Sequence, residues 1–350
     1  MNQLVYLVYG NNQNIIDEAR FSIVSAIYQS SKNNNTLNIV IITDTPEFFK
    51  GFPVTIKIIT QHQLSAWSGK ENYHHRSKPE ALLYVIDKAD KTILIDTDTI
   101  FKKDPENLFK LIDQNSILVD KIYQKWNQTP DSYYNTCREF LVSHYNITDD
   151  MRHINSGIIG ITKNNKRIIK QSLIIIDQIY NLSGRLFHTE QFALAASIFS
   201  NKIKPIQHKS IIHHYWSRKD IYRAIARSFL NTHKDLFSEN ARNNFFKLEF
   251  KIPKPPWHHR LYLKLRSRKL PNKKQLRQFY IEICKAIYST HQFPESVQSE
   301  MLKKSLINLK ERNFPLFNLI QKKGVKSIIS PSLLKDKYIK ELNTLTKNIT

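Results

Sequence analysis

The sequence predicts an α/β protein, with a doubly wound sheet over residues 1–250 and a basic helical domain over residues 251–350. In the first region, short β-branched runs alternate with segments of helical periodicity, a pattern typical of strands joined by right-handed crossovers. In the second region, the spacing of apolar residues becomes helical. The proline-rich residues 253–256 predict a stiff linker between the two regions.

The predicted elements follow one another along the first region, and each apolar run ends at a turn or polar residue. The predicted strands are residues 4–9, 39–43, 54–59, 92–95, 116–119, 154–161 and 209–212. The predicted helices are residues 15–31, 78–87, 167–180 and 191–200. Residues 121–150 are polar and aromatic without clear periodicity, which fits either a lid or acceptor loop or a helical excursion.

The composition limits the class of protein. A chain of 350 residues that is 41% hydrophobic can bury one large core and a smaller second one. The two cysteines, Cys137 and Cys284, lie far apart and form no disulfide framework, which favours a reducing compartment. The first residues lack a basic n-region, and no apolar segment approaches the ~18 residues of a membrane span. We therefore expect a cytoplasmic protein, either free or bound peripherally to the inner face of the cytoplasmic membrane.

The net charge of +23 is unevenly distributed. Residues 251–350 carry 22 Lys and Arg against 6 Asp and Glu, whereas residues 1–250 carry 31 against 24. A basic tail on a nearly balanced body predicts an anionic surface as the partner of the tail. A nucleic-acid-binding protein is the non-enzymatic alternative, but it requires positive charge around the binding edge of the sheet. We expect no nucleic-acid partner.

Asp96, Thr97 and Asp98 directly follow the predicted strand at residues 92–95. In open α/β sheets, ligands bind just beyond the carboxyl ends of the strands. An extended backbone directs residues i and i+2 to the same side, so the two carboxylates can converge. Hard oxygen ligands of this kind suit Mg²⁺ or Mn²⁺ holding a diphosphate. A strand-terminating Asx turn is the structural alternative.

The segment from Asp96 to Phe109 resembles the metal-binding segment of family 8 glycosyltransferases, which include glycogenin and bacterial lipopolysaccharide glucosyl- and galactosyltransferases. In that family, D-x-D-T is followed by Leu-Phe at the same interval. Three later matches occur in the family's chain order, namely Asn155-Ser156-Gly157, Glu190-Gln191, and His213 with Lys219. The resemblance covers residues 3–220. It implies a GT-A-like fold with a mixed sheet, and hexosyl transfer from a nucleotide-sugar, with retention of configuration.

The resemblance also implies roles for individual residues. The metal, Mn²⁺ or Mg²⁺, would be bound by Asp96, Asp98 and either His213 or His214. The nucleotide-sugar would contact Tyr9, Gly10, Asn11, Arg76, Lys78, Thr97, Asn155, Ser156 and Lys219. The residues nearest the reacting sugar would be Asp120, Asn155, Glu190 and Gln191. If the reaction inverts configuration, Glu190 is the natural general base; if it retains configuration, Gln191 need only stabilise charge. A turn or helix cap is the structural alternative for Asp120, Asn155 and Glu190.

The start of the basic region bears on whether the acceptor is attached to a membrane lipid. At helical spacing, Leu261 and Leu265 share a face that is flanked by Trp257 and Lys264. This is the pattern of a helix lying in a membrane interface, and a solvated basic bundle is the alternative. Membrane contact would suit a lipid-linked acceptor such as a growing lipopolysaccharide core; a soluble glycan is also compatible.

The enzymatic alternative is a haloacid-dehalogenase-like phosphatase, whose nucleophile motif is also an Asp-x-Asp after a hydrophobic strand. That motif requires Thr or Val four residues after its first Asp, a position that Ile100 occupies in this chain. It also leaves the three predicted strands before residue 92 unexplained.

Overall fold

The computed structural model describes residues 1–33, 36–128, 132–250, 255–270, 274–288, 294–330 and 332–349, with the backbone alone for residues 132–135 and 294. The chain divides into two compact units, Met1–Trp216 and Ser217–Thr350. The domain boundary at residue 250 stays a prediction, and residues 253 and 254 of the predicted linker at residues 253–256 lie outside the described residues.

The first unit contains all the strands of the described chain. They are β1 (Asn2–Val8), β2 (Ile39–Thr43), β3 (Thr55–Ile58), β4 (Lys91–Ile95), β5 (Thr99–Phe101), β6 (Ser116–Lys125), β7 (Arg152–Thr162), β8 (Lys204–Gln207) and β9 (Ile212–His214). Its helices are α1 (Gln13–Ser31), α2 (Gln61–Ser68), α3 (Ser77–Val85), α4 (Glu106–Phe109), α5 (Ser132–Tyr145), α6 (Lys166–Ile179) and α7 (Thr189–Ser200).

Seven strands form one mixed sheet in the order β3-β2-β1-β4-β7-β6-β8. The strands β1 to β4 are mutually parallel, whereas β7 runs antiparallel to both of its neighbours. The remaining strands, β5 and β9, form a separate antiparallel pair. The predicted fold class, a doubly wound α/β sheet followed by helices, is confirmed. The strand before the Asp-Thr-Asp segment, β4, lies inside the sheet rather than at its edge.

Both faces of the interior strands β2, β1, β4 and β7 are covered, so these strands are apolar on both sides, whereas the edge strands β3 and β8 are partly exposed. Alternate residues of β4 belong to different cores: Leu94 packs with the helices α3, α6 and α7, whereas Ile93 and Ile95 pack with α1. Ligand access is therefore left to the ends of the strands. The carboxyl ends of β1, β2 and β4 lie together at one edge because these strands are parallel.

Two segments differ from the sequence prediction. The predicted strand at residues 209–212 is wrong, because Lys209 and Ser210 adopt φ of +43° and +66° in a turn between β8 and β9. Left-handed backbone breaks an extended run, and the β-branched Ile211 and Ile212 obscured that break. In the second segment, β6 continues to Lys125 and α5 follows, so the helical excursion describes residues 121–150 better than a loop.

The second unit is helical in its described part. Its helices are α8 (Lys219–Thr232), α9 (Glu239–Phe246), α10 (Trp257–Arg266), α11 (Lys274–Ile287), α12 (Pro294–Arg312), α13 (Phe314–Lys323) and α14 (Asp336–Lys347). The helices α11 to α14 share one hydrophobic core. On α10, Leu263 is buried, whereas Trp257, Leu261 and Leu265 are 70%, 49% and 49% exposed. Within the described ranges, every helix is too short or too polar to cross a bilayer.

Candidate functional site

The turn after β4 holds two carboxylates at the carboxyl end of the sheet. The backbone N–H of Asp96 donates to the carbonyl of Gly157 at 2.8 Å, which ties the turn to β7. The hydroxyl of Thr99 donates back to the carbonyl of Asp96 at 2.8 Å, and β5 begins at this residue. Thr97 lies half-buried between the two aspartates, and Asp98 is buried. The Asp-x-Asp-Thr spacing therefore closes a tight turn that presents both acids.

The pairing of β5 with β9 brings a histidine to this turn. Thr99 is the register partner of His214, and Ile100 that of His213. Because side chains alternate across a strand, only one of the two histidines can face the aspartates. It is His214, whose Nε2 lies 3.2 Å from Oδ1 of Asp98. Burial, together with Lys102 and His214, lowers the pKa of His213 to about 4.

One ligand atom from each of Asp96, Asp98 and His214 lies within 4.8 Å of the other two. Two carboxylate oxygens and one imidazole nitrogen form a donor set that suits Mn²⁺ and is compatible with Mg²⁺. These residues therefore fit the predicted metal. His214 is the histidine that lies with the two aspartates, and its role as a ligand stays a prediction. The predicted ligand His213 is not part of this group.

The surrounding charges also favour a cation. Three carboxylates, those of Asp96, Glu190 and Asp98, act on the buried ammonium group of Lys78. Nζ of Lys78 lies 2.7 and 2.8 Å from the two oxygens of Asp96. Burial alone would lower the pKa of Lys78, but the attraction of Asp96, Glu190 and Asp98 raises it. Lys78 is the second residue of α3, so the predicted position near a helix N-terminus is confirmed.

A chain of buried hydrogen bonds leads away from Asp98. Nδ1 of His214 donates to Oδ2 of Asp120 at 2.9 Å, and Nε2 of His208 lies 3.2 Å from Oδ1 of the same carboxylate. Burial alone would lower the pKa of His214, but its contacts with Asp120 and Asp98 raise the pKa to about 10. Burial alone would raise the pKa of Asp120, but the two histidines lower it to about 2.

Gly157 makes room for the ring of His214. Across β6 and β7, Val119 pairs with Ile159 and Lys121 pairs with Asn155, so residues 156–158 bulge opposite a single residue of β6. A Cβ atom on Gly157 would lie 2.3 Å from Cε1 and 2.6 Å from Nδ1 of His214. Asn155 supports this bulge by accepting the backbone N–H of Gly157 at 2.8 Å. Within the predicted Asn-Ser-Gly motif, the glycine is therefore the residue whose missing side chain leaves space for His214.

Glu190 is buried at the start of α7, and both of its oxygens are held. Oε1 accepts the hydroxyl of Ser156 at 2.9 Å, and Oε2 accepts the hydroxyl of Tyr73 at 2.9 Å. The hydroxyl of Tyr73 also lies 3.2 Å from the backbone nitrogen of Glu190. The next residue, Gln191, is half-buried with its amide 3.4 Å from Nδ1 of His188.

Three predicted donor-binding residues, Tyr9, Gly10 and Asn11, follow the carboxyl end of β1. The backbone N–H of Gly10 donates to Oδ1 of Asp44 at 2.9 Å, so the ends of β1 and β2 are joined there. Gly10 has φ of +75°, which favours glycine at this turn. Tyr9 is half-buried, and burial raises its pKa although Lys78 acts in the opposite direction. Asn11 is exposed.

Two residues that were predicted to bind the donor, Arg76 and Lys219, are not among the contacts described above. The guanidinium of Arg76 contacts Asp177 and Glu80, each at 2.7 Å, and lines a cavity of about 400 Å³ beside Tyr73. Lys219 is the first residue of α8 and belongs to the second unit. Their contacts with a nucleotide-sugar stay predictions.

Three residues of the site were missed by the sequence analysis: Tyr73, Asp44 and His208. Asp44 could have been identified from the sequence, because it is the polar residue that follows the predicted strand at residues 39–43. His208 follows β8, a strand that the sequence analysis did not identify. The position of His208 at the carboxyl edge of the sheet was therefore not predicted. Tyr73 lies between α2 and α3 and carries no local signal.

No family model and no curated protein matches this chain. Solved structures do match, with probability 1.00. Mouse xyloside xylosyltransferase 1 is 13% identical, with 59% of this chain and 85% of that chain covered and a TM-score of 0.42. The galactosyltransferase LgtC, solved with donor and acceptor sugar analogues, is 11% identical, with 72% and 97% covered and a TM-score of 0.44. The bifunctional glycosyltransferase WbbM is 15% identical, with 61% and 45% covered and a TM-score of 0.37. Because these sequence identities and TM-scores are low, the similar structures carry no functional argument. We therefore infer the function from the geometry of the site.

Proposed function

We propose that this chain is a metal-dependent glycosyltransferase that moves a hexose from a UDP-sugar to a glycan or lipid-linked acceptor, with retention of configuration. The observation that carries the proposal is the convergence of Asp96, Asp98 and His214 at the carboxyl end of an interior strand, with Lys78 beside them. In α/β sheets this edge is where ligands bind. A cation ligand set next to a buried ammonium suits a diphosphate group.

The bound metal would act as a Lewis acid that neutralises charge on the departing diphosphate. Asp96, Asp98 and His214 would hold it. Lys78 would bind a phosphate oxygen through its ammonium group, which the surrounding carboxylates keep charged. The Ser156 and Tyr73 hydroxyls hold Glu190 in a single orientation toward the same region. The half-buried amide of Gln191 would stabilise charge near the acceptor.

Donor hydrolysis tests this function directly. With Mn²⁺, the purified chain is expected to release UDP from at least one UDP-hexose, and EDTA is expected to stop the release. The measurement is UDP formed per enzyme across a panel of UDP-sugars, with and without Mn²⁺. Release that persists in EDTA would argue against the metal role, and no release with any donor or acceptor would remove the proposal.

Glu190→Gln tests the stereochemical part of the proposal. A general base contributes about 10²–10⁴-fold to a rate. If configuration is retained and Glu190 is not the base, we expect turnover to fall by less than about 100-fold. The glutamine keeps an oxygen and the same shape for the contacts with Ser156 and Tyr73. Product configuration is read from the anomeric proton by NMR, and an inverted product with a larger loss would assign Glu190 as the base instead.

The phosphatase and nucleic-acid alternatives are not favoured. Ile100, at the position where the phosphatase motif needs Thr or Val, is a fully buried residue of β5. The first three strands, which that alternative leaves unexplained, form three of the seven strands of the main sheet, on one side of β4.

We propose in addition that α10 contacts an anionic membrane surface that carries the acceptor. Trp257, Leu261 and Leu265 recur every four residues and are all exposed, so they form one apolar stripe on the helix. Lys264 and Arg266 lie in its last turn. The charge excess of residues 251–350 complements anionic lipid, for which each nearby Lys or Arg adds about 1 kcal/mol.

Replacing Trp257, Leu261 and Leu265 together with serine is expected to weaken binding to anionic vesicles by at least about tenfold, because each large apolar side chain contributes about 1.5–3 kcal/mol when buried. Vesicle sedimentation at low and high salt gives the measurement. The matched control replaces Ile58, Ile174 and Leu182, which are 65%, 53% and 49% exposed in the first unit. Equal binding of the wild type to neutral and anionic vesicles would refute the electrostatic part, and equal binding of the two triple variants would refute the role of α10.

A further inference from the structure

Asp120 and His208 lie side by side at the carboxyl edge of the main sheet. Val119 of β6 and Gln207 of β8 are register partners in parallel strands, and Asp120 and His208 are the residues that follow them. Both side chains are buried, with residue exposures of 6% and 7%. Their contact, at 3.2 Å, is therefore shielded from solvent.

The hydrogen bonds of His208 fix which of its nitrogens faces Asp120 as a donor. The backbone N–H of Ile212 donates to Nδ1 of His208 at 3.4 Å, so Nδ1 is the accepting nitrogen. A proton on Nε2 therefore points at Oδ1 of Asp120. This contact occupies one oxygen of the carboxylate and leaves the other for His214.

The second oxygen of Asp120 determines how His214 is presented. It accepts Nδ1–H of His214 at 2.9 Å, so Nε2 is the nitrogen that faces Asp98. Imidazoles that ligate metals generally donate their other N–H to a carboxylate, which fixes the ring orientation and strengthens the ligand. In this chain the carboxylate is itself held by a further histidine.

We propose that Asp120 and His208 are a positioning pair for the metal ligand His214, and that Asp120 serves the cation site rather than contacting the donor sugar. The inference rests on the cation site of the proposed function. It assigns a role to His208, which the sequence analysis did not consider. It also accounts for both oxygens of Asp120 within the protein.

The affinity for Mn²⁺ in the absence of nucleotide tests the pair, measured from the EPR signal of free Mn²⁺. Asp120→Asn is expected to weaken binding by about 10–100-fold, the usual effect of removing such a partner. Asp104→Asn is the matched control: Asp104 is also buried, at 7% exposure, and accepts from the Asn33 side chain at 2.6 Å. Its affinity for Mn²⁺ is expected to equal that of the wild type.

Two variants of His208 separate positioning from general destabilisation. His208→Gln keeps an N–H donor at similar reach and is expected to bind Mn²⁺ nearly as the wild type does. His208→Leu removes the donor and is expected to bind about tenfold more weakly, within the range for such partners. If Asp120→Asn does not fold, this pair of variants decides the question, and equal weakening by Gln and Leu would overturn the positioning role.

The outcomes also separate this inference from the proposed function. Wild-type protein that binds no Mn²⁺ would overturn the cation site and the inference together. Unchanged Mn²⁺ affinity in Asp120→Asn, with a loss of affinity for UDP-sugar but not for UDP, would overturn the positioning role alone and make Asp120 a sugar contact.

Discussion

Replacing Gly157 with alanine is expected to weaken Mn²⁺ binding strongly and to reduce metal-dependent UDP release, although no charged or polar group is removed. The added methyl group would lie 2.3 Å from Cε1 of His214, a distance that real Cβ atoms do not tolerate. The ring must move, and Nε2 then leaves its position opposite Asp98. The expected loss of Mn²⁺ affinity is at least about 10–100-fold, as for other changes that disorient a metal-bound imidazole.

Gly160→Ala provides the control for this prediction, because Gly160 lies in the same strand and its surroundings also leave no room for a Cβ atom. Its Cβ would meet Cδ1 of Ile112 at 2.6 Å and Cβ of Leu118 at 2.8 Å, both of them apolar. Overpacking of this kind costs about 1–3 kcal/mol of stability but leaves the metal ligands in place. If both variants lose stability and only Gly157→Ala loses Mn²⁺, the role of the glycine is established; equal Mn²⁺ affinity in the two would refute it.

Asp98→Asn is expected to reduce metal-dependent turnover by about 1000-fold or more while the protein stays folded. A metal ligand supplies several kcal/mol of transition-state stabilisation through the ion, and each 1.36 kcal/mol is tenfold in rate. Burial raises the pKa of Asp96, and the buried carboxylate of Asp98 beside it raises that pKa further, so neutralising Asp98 relieves repulsion between the two acids. The measurements are UDP release with Mn²⁺ and the unfolding transition in urea.

Asp104→Asn again serves as the control for a buried aspartate in the same unit, and it is expected to keep wild-type turnover. Asp98→Ala is expected to behave like Asp98→Asn, since both remove the negative charge of the carboxylate. Turnover at the wild-type rate in either Asp98 variant would contradict a metal role for this residue.

The sequence by itself determined the elements whose signals are local. Asp96 and Asp98 follow a short β-branched run, and that pattern placed them at a strand end before any contact was known. The same holds for Lys78, which begins the helix that the apolar spacing predicts at residues 78–87. The βα alternation also determined the fold class, because the spacing of apolar residues identifies each strand or helix within about ten residues.

The orientation of β7 could not be predicted in the same way. Its residues are as apolar as those of a parallel strand, because both faces of the sheet are covered at this position. The amino-acid composition of β7 therefore does not indicate whether it runs parallel or antiparallel to its neighbours. The bulge at residues 156–158 depends on the register of β7 against β6. It is this register that makes Gly157 a requirement for the ring of His214.

Only the tertiary structure decided which histidine joins the aspartates, and what surrounds it. A shift of one residue in the pairing of β5 with β9 would exchange His213 for His214, since successive side chains point to opposite faces. Likewise, Tyr73 reaches Glu190 across 117 positions of the chain, and His208 reaches Asp120 across 88. Local sequence fixes which residue types end a strand; the register between distant strands fixes which of those side chains meet, and it depends on packing that no single segment contains.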